Sequence, residues 1–229
     1  MSGIKSGFQV GLRKEENEEN LINDSVAGAV LAGGRSKRFG NDKRFLKIGG
    51  KTLLEISFEK IKNFKNKVIV VDRHLTDEKI EKLRSEGVQV VRDVLDYMGP
   101  AVGIYSALKI TQFDGIVFVA VDMPLVPPHF VDFLVKVGYK LRTSFVATRI
   151  GRIIYPLPCY VPKSEIEDIE KSIEKKELSL KSIIENSKRK IFLGEKDIEK
   201  FGEPQIIFMN INTYEDYENI KRFFGIESG

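Results

Sequence analysis

The sequence predicts an α/β protein: a single three-layer α/β/α domain on a mostly parallel, Rossmann-like sheet with an antiparallel edge. Three observations carry this. Apolar, β-branched runs recur along the chain, and amphipathic helical segments separate them. The 229 residues also hold no repeat or internal linker, which suits one large domain better than two. Strand and helix in alternation require parallel pairing with right-handed crossovers.

Residues 1–24, rich in Gly, Asn and Glu and without an apolar stretch, read as a flexible extension and not a signal peptide; residues 25–229 form the domain. AGAVLA (27–32), KVIVV (67–71), VQVVR (88–92), GIVFVAV (115–121) and SFVAT (144–148) are strands buried on both faces. Between them, TLLEISFEKIKNF, TDEKIEKLRSEG and VGIYSALKI carry apolar residues at helical spacing. Thr76 before Asp77 and Glu78 is a helix start, and Gly87 a helix stop. Gly99-Pro100 turns into a helix near Ala101, Pro suiting an early helical position. RIIYPLPCYV (152–161), with two prolines, reads as an edge or antiparallel strand. EIEDIEKSIEKKE is a solvated helix, and QIIFMNINT (205–213) reads as a last strand. TYEDYENIKRFF then opens with a capping box, Thr213 and Asp216.

Composition narrows the chemistry. A net charge of +4 is too modest for a dedicated nucleic-acid binder, and no apolar run is long enough to span a membrane. One cysteine, Cys159, precludes an internal disulfide and fits a reducing cytoplasm, where it would pack inertly. The two histidines, His74 and His129, suit turns and helix starts; they cannot build a His/Cys zinc site, and neither stands near a nucleophile motif.

The first strand runs into AVLAGGRSKRFGNDK (29–43). Between Arg35 and Lys47 lie Arg35, Lys37, Arg38, Lys43, Arg44 and Lys47 against one acid, Asp42. Gly33 and Gly34 let backbone approach an anion, successive N–H groups can form a nest, and Arg and Lys neutralise phosphate. The spacing is neither the dinucleotide fingerprint nor a Walker A loop: Gly34 and Gly40 lie one residue too far apart, and Asn41 stands where that loop has Lys. A solvated surface loop is the bland alternative. Asp122, directly after GIVFVAV, puts a carboxylate at a strand end beside this loop, where Mg2+ would be held; an Asx turn with Met123 and Pro124 is its structural alternative.

LAGGRSKRFGNDK resembles the LAGG-x-S-x-R-[MF]-G-x-DK signature of the molybdenum cofactor guanylyltransferases, within a wider group of nucleotidyltransferases that activate sugars and polyols. RDVLDYMGPAVGIYSAL (92–108), VAVDMPLVPP (119–128) and FMNINTYEDY (208–217) match in order, so the resemblance covers nearly all of residues 26–229. The DK ending, where sugar enzymes carry PK, and the NINT segment favour the molybdenum branch.

The resemblance implies a nucleotidyltransferase fold, in the cytoplasm, that transfers GMP from GTP to the terminal phosphate of molybdopterin, with Mg2+ as cofactor and carrier proteins that deliver the pterin. It places the backbone of Leu31, Ala32, Gly33 and Gly34 on base and ribose, with Arg38 and Lys43 on the triphosphate. Arg35 and Lys37 are then rim attraction, and Arg44 and Lys47 surface. Asp93 matches a guanine-associated aspartate, and its carboxylate can accept two hydrogen bonds from guanine; it also suits a polar loop. Asp72 lies where the family often has Asn, and Val70 stands at one such position. Asn210 and Asn212, flanking Ile211, would share one face toward the second substrate or the metal; Asn212 also suits a helix start. The alternatives are a cytidylyl or sugar-phosphate nucleotidyltransferase on the same fold, and a non-catalytic nucleotide-binding protein.

Overall fold

The computed structural model describes residues 21–22, 24–33, 42–72, 76–95, 99–141 and 144–226. In chain order the elements are β1 (Val26–Leu31), a 3-10 turn (Lys43–Phe45), a hairpin of β2 (Lys47–Ile48) and β3 (Lys51–Thr52), α1 (Leu53–Glu59), β4 (Asn66–Val71), α2 (Asp77–Ser85), β5 (Gln89–Arg92), α3 (Pro100–Ile110), β6 (Gly115–Ala120), α4 (Pro128–Leu141), β7 (Phe145–Ile150), β8 (Ile153–Pro162), α5 (Ile166–Glu174), α6 (Leu180–Asn186), β9 (Lys190–Leu193), α7 (Glu195–Ile198), α8 (Pro204–Ile207) and α9 (Tyr214–Phe223). Most of the expected 1–24 extension lies outside the described residues, as do Gly34, Arg35, Lys37, Arg38 and His74.

Seven strands form one sheet in the order β5-β4-β1-β6-β8-β7-β9. β1 pairs in parallel with β4 and β6, and the pairings β4–β5 and β7–β9 are parallel too. Side chains alternate between two cores. Val26 and Val30 of β1 join the cluster under α1, α2 and α4, whereas Ala27, Ala29 and Leu31 join the one under α3, α5 and α6. That is the expected three-layer domain with a mostly parallel sheet.

The antiparallel pairing belongs to β8, which runs between β6 and β7 toward the β9 side of the sheet. The two readings offered for 152–161 thus resolve to antiparallel, with β9 as the outer strand. The prolines are tolerated because Pro156 and Pro158 fall where neither ladder registers a partner. Thr148 faces Tyr155 and Val146 faces Tyr160, so the chain bulges between them.

One expected element is corrected. Residues 205–213 are not a strand: Pro204 stands at the first position of the short helix α8, and the chain then runs irregularly to Thr213. Pro fits a first helical position. Ile207 and Phe208 are buried all the same. The helix starts and stops held better. Thr213 and Asp216 form the capping box, and Gly87 takes the left-handed conformation (φ 77°) just past α2.

Candidate active site

The backbone gathers the ends of four parallel strands at one edge. Ala32 N–H donates to the Val70 carbonyl (2.8 Å), Val121 N–H to that of Leu31 (3.2 Å) and Asp93 N–H to that of Val71 (3.2 Å). Gly33, Asp72, Asp93 and Asp122 therefore leave β1, β4, β5 and β6 side by side. β1 is also where the strand order departs in both directions, with β4 on one flank and β6 on the other. Such a switch point opens a crevice at the carboxyl ends of the strands.

Lys43 and Asp122, 79 positions apart in sequence, meet in that crevice. The Lys43 ammonium lies 2.5 Å from Asp122 Oδ2, with the two side chains 17% and 22% exposed. The pair is sheltered but reachable by solvent. Asp42 caps the 3-10 turn carrying Lys43, accepting from Arg44 N–H at 3.1 Å.

Arg44 overturns the surface role given it above. It is 5% exposed and bonds both oxygens of Asp42, from Nε (2.8 and 2.9 Å) and Nη2 (2.6 Å), while Nη1 donates to the Ala32 carbonyl at 2.9 Å. Asp72 lies 3.5 Å from Nη1. Burial draws the guanidinium pKa down, but Asp42 and then Asp72 more than offset it, so the group stays charged. One buried arginine thus fastens the far end of the basic loop to β1 and β4. Lys47 is exposed, as expected.

Asp93 hangs over the glycines. A Cβ on Gly33 would sit 3.7 Å from Asp93 Oδ2, and one on Gly103 3.6 Å from Oδ1. The Gly33 contact is ordinary, so the protein itself leaves room there. Gly103 is tighter: its Cβ would stand 3.2 Å from both Leu31 Cδ2 and Val70 Cγ1. Val70, buried in β4, thus fills the sheet face opposite Gly103 and offers no polar group at that position.

The C-terminal segment closes the site's other wall. Ile211 N–H donates to the Asp122 carbonyl at 2.8 Å, so the exposed Asn210 and Asn212 stand beside the Asp122 turn. Without a strand here, the expected shared strand face is lost, but the neighbourhood is kept. Asn212 contributes its backbone N–H to Asp216 Oδ2 (2.9 Å), whereas Thr213 provides the side-chain cap. Sequence reasoning also missed Lys60, which is 3% exposed and donates to the Met123 carbonyl at 2.8 Å. Its signal was present, since position 60 falls on the apolar stripe of TLLEISFEKIKNF. Cys159 is fully buried, which pushes its thiol pKa far up and keeps it inert. His129 lies at the start of α4 with its ring 5.2 Å from that of Phe201.

A family model described as the MobA-like NTP transferase domain matches residues 28–191. The chain belongs to the MobA-like NTP transferase family. A probable molybdenum cofactor guanylyltransferase of Pyrococcus furiosus is 35% identical over 201 residues, covering 86% of this chain and 97% of its own. A protein of the same description from Thermococcus gammatolerans is 36% identical over 194 residues, 83% and 96% of the two chains. Among solved structures, molybdopterin-guanine dinucleotide biosynthesis protein A from Archaeoglobus fulgidus superposes with a TM-score of 0.73 at 27% identity, covering 87% of this chain and 98% of its own. A cytidylyltransferase from Leptospira borgpetersenii shares the fold, with a TM-score of 0.64 at 22% identity over 89% and 88% of the chains. Fold and kinship make this MobA-like protein a nucleotidyltransferase.

Among the described residues no three His, Cys, Asp or Glu side chains group to form a metal site, and no helix is long and apolar enough to cross a membrane. Beside the basic turn, Asp122 presents a carboxylate paired with Lys43. A single carboxylate fits Mg2+, which keeps several waters and takes its remaining ligands from substrate phosphates, and it does not fit a metal that needs an all-protein cage.

Proposed function

We propose that the protein transfers GMP from GTP to the terminal phosphate of molybdopterin, with or without its molybdenum, giving the guanine dinucleotide form of the cofactor and pyrophosphate. The observation that carries this reading is the Lys43–Asp122 pair at the switch point, 2.5 Å across and open to the crevice. The descriptions of the Pyrococcus, Thermococcus and Archaeoglobus relatives supply the substrate class.

An oxygen of the acceptor's terminal phosphate attacks the α-phosphorus of GTP, and the bond to the bridging oxygen of pyrophosphate breaks. An ionised phosphate is already a nucleophile at neutral pH, so no general base is needed. Lys43 and Arg38 neutralise the charge that builds on the departing pyrophosphate, and the backbone of Leu31, Ala32, Gly33 and Gly34 holds base and ribose. Asp122 would hold Mg2+, which when bound screens the phosphates and favours in-line geometry. Asp93, over Gly33, faces the guanine edge; Asn210 and Asn212, beside Asp122, face the pterin side. The carriers that deliver molybdopterin would approach from there, in the cytoplasm.

The test is a panel of α-labelled nucleoside triphosphates with molybdopterin and Mg2+. GTP should be consumed with release of labelled dinucleotide, whereas a preference for CTP or UTP would replace this reading with a cytidylyl or sugar-phosphate transfer. Asp122→Ala should keep the fold and lose roughly 1,000-fold in kcat; undiminished turnover would remove Asp122 from the site.

A further inference from the structure

α1 ends at Glu59, and the next residue turns a cation inward. Lys60 interrupts a buried stripe formed by Leu53, Ile56, Ile61 and Phe64, which belongs to the same apolar cluster as Met123 and Val126. Among the described residues its acceptor is the carbonyl of Met123. Burial lowers its pKa to about 7, and the charge of Asp122 pulls the other way, so the carboxylate's field reaches it. Burying a cation on one neutral acceptor is unfavourable, and a methionine of similar length would avoid it. Stability therefore does not account for a lysine here.

The turn that presents Asp122 does. Strand β6 ends at Ala120, and the next peptides have no ladder to hold them. Val121 N–H reaches the Leu31 carbonyl, Ile211 N–H reaches the Asp122 carbonyl, and Lys60 takes the Met123 carbonyl from the core side. Remove the last and, among the described residues, the Met123 carbonyl keeps only Val126 N–H, at a long 3.4 Å, while Met123 N–H reaches the Ala120 carbonyl at an equally long 3.4 Å. We propose that Lys60 is a positioning residue for Asp122, holding the 122–123 turn from beneath so that the carboxylate meets Lys43 in the crevice. Its catalytic consequence rests on the reading of Asp122 given above, but the positioning itself does not.

Native-state hydrogen exchange at Ile211, whose amide bonds the Asp122 carbonyl, reads the turn without needing activity. In Lys60→Met that amide should exchange about 10-fold faster or more, while Val119 inside β6 keeps its protection. In Lys60→Gln, whose amide still donates but is one bond shorter, the increase should be smaller. Where the wild type transfers nucleotide, kcat should fall in the same order, wild type above Gln above Met, with KM for GTP within about 3-fold. Unchanged exchange at Ile211 in both variants overturns the proposal, as does an equal loss of kcat in both. If Lys60→Met does not fold, Lys60→Gln decides alone: faster exchange at Ile211 than in wild type supports it, equal exchange overturns it. A wild type that transfers no nucleotide defeats the proposed function and leaves the exchange result to stand by itself.

Discussion

At the scale of single residues, the site separates groups that hold the protein from groups that face the crevice. Gly33 is of the second kind, since among the described residues a methyl there meets nothing closer than 3.7 Å. Gly33→Ala should change stability by less than about 0.5 kcal/mol in a denaturant titration, yet weaken nucleotide binding about 10-fold or more by calorimetry. Lys43 and Asp122 were legible in the sequence because each stands at a marked place, one after a glycine-rich turn and the other at a strand end. Arg44 and Lys60 were not. Residue type announces charge, and burial of that charge is decided by partners that the chain brings from elsewhere: Ala32 and Asp72 for the first, Met123 for the second.

At the scale of elements, the loop's end and the β8–α4 packing make separate demands. Arg44→Met cuts the tie between the 3-10 turn, β1 and β4 and strands Asp42, itself about a third exposed. A loss of roughly 2 to 3 kcal/mol should appear in urea unfolding, together with weaker nucleotide binding. Tyr160 of β8 lies against Gly138 of α4 so closely that a Cβ there would stand 2.1 Å from the ring. Gly138→Ala must therefore move a buried ring or a helix, and should cost roughly 3 kcal/mol with the transfer chemistry unchanged in whatever folds. Strand positions and helix phase could be read because buried strands are continuous apolar runs and helices keep a 3.6 period. The segment 205–213 deceived because QIIF is apolar in either state. What decides it is Pro204 at a helix start and the capture of Ile211 by the Asp122 turn, a contact between distant parts of the chain.

At the scale of the whole molecule, Lys60 should leave a mark on the pH dependence of stability. Its folded pKa, about 7, lies below its ordinary 10.5, so between those values the unfolded chain binds the extra proton. Stability then rises with pH across that window, by at most about 1.4 kcal/mol per unit. The penalty is full below pH 7 and gone above 10.5. Lys60→Met should lack this rise, so wild type minus variant, measured by urea titration from pH 6 to 10, should climb; a flat difference would contradict the burial of a cation.

The hydrogen bond from Ile211 to Asp122 also sets a timetable. A ribosome delivers Lys43 first, then Asp122, and only much later the amide that clamps the turn, so most of the sheet can assemble while the crevice still lacks one wall. A nascent chain halted before that amide would own the basic turn and the carboxylate and yet lack the bond that clamps the Asp122 turn.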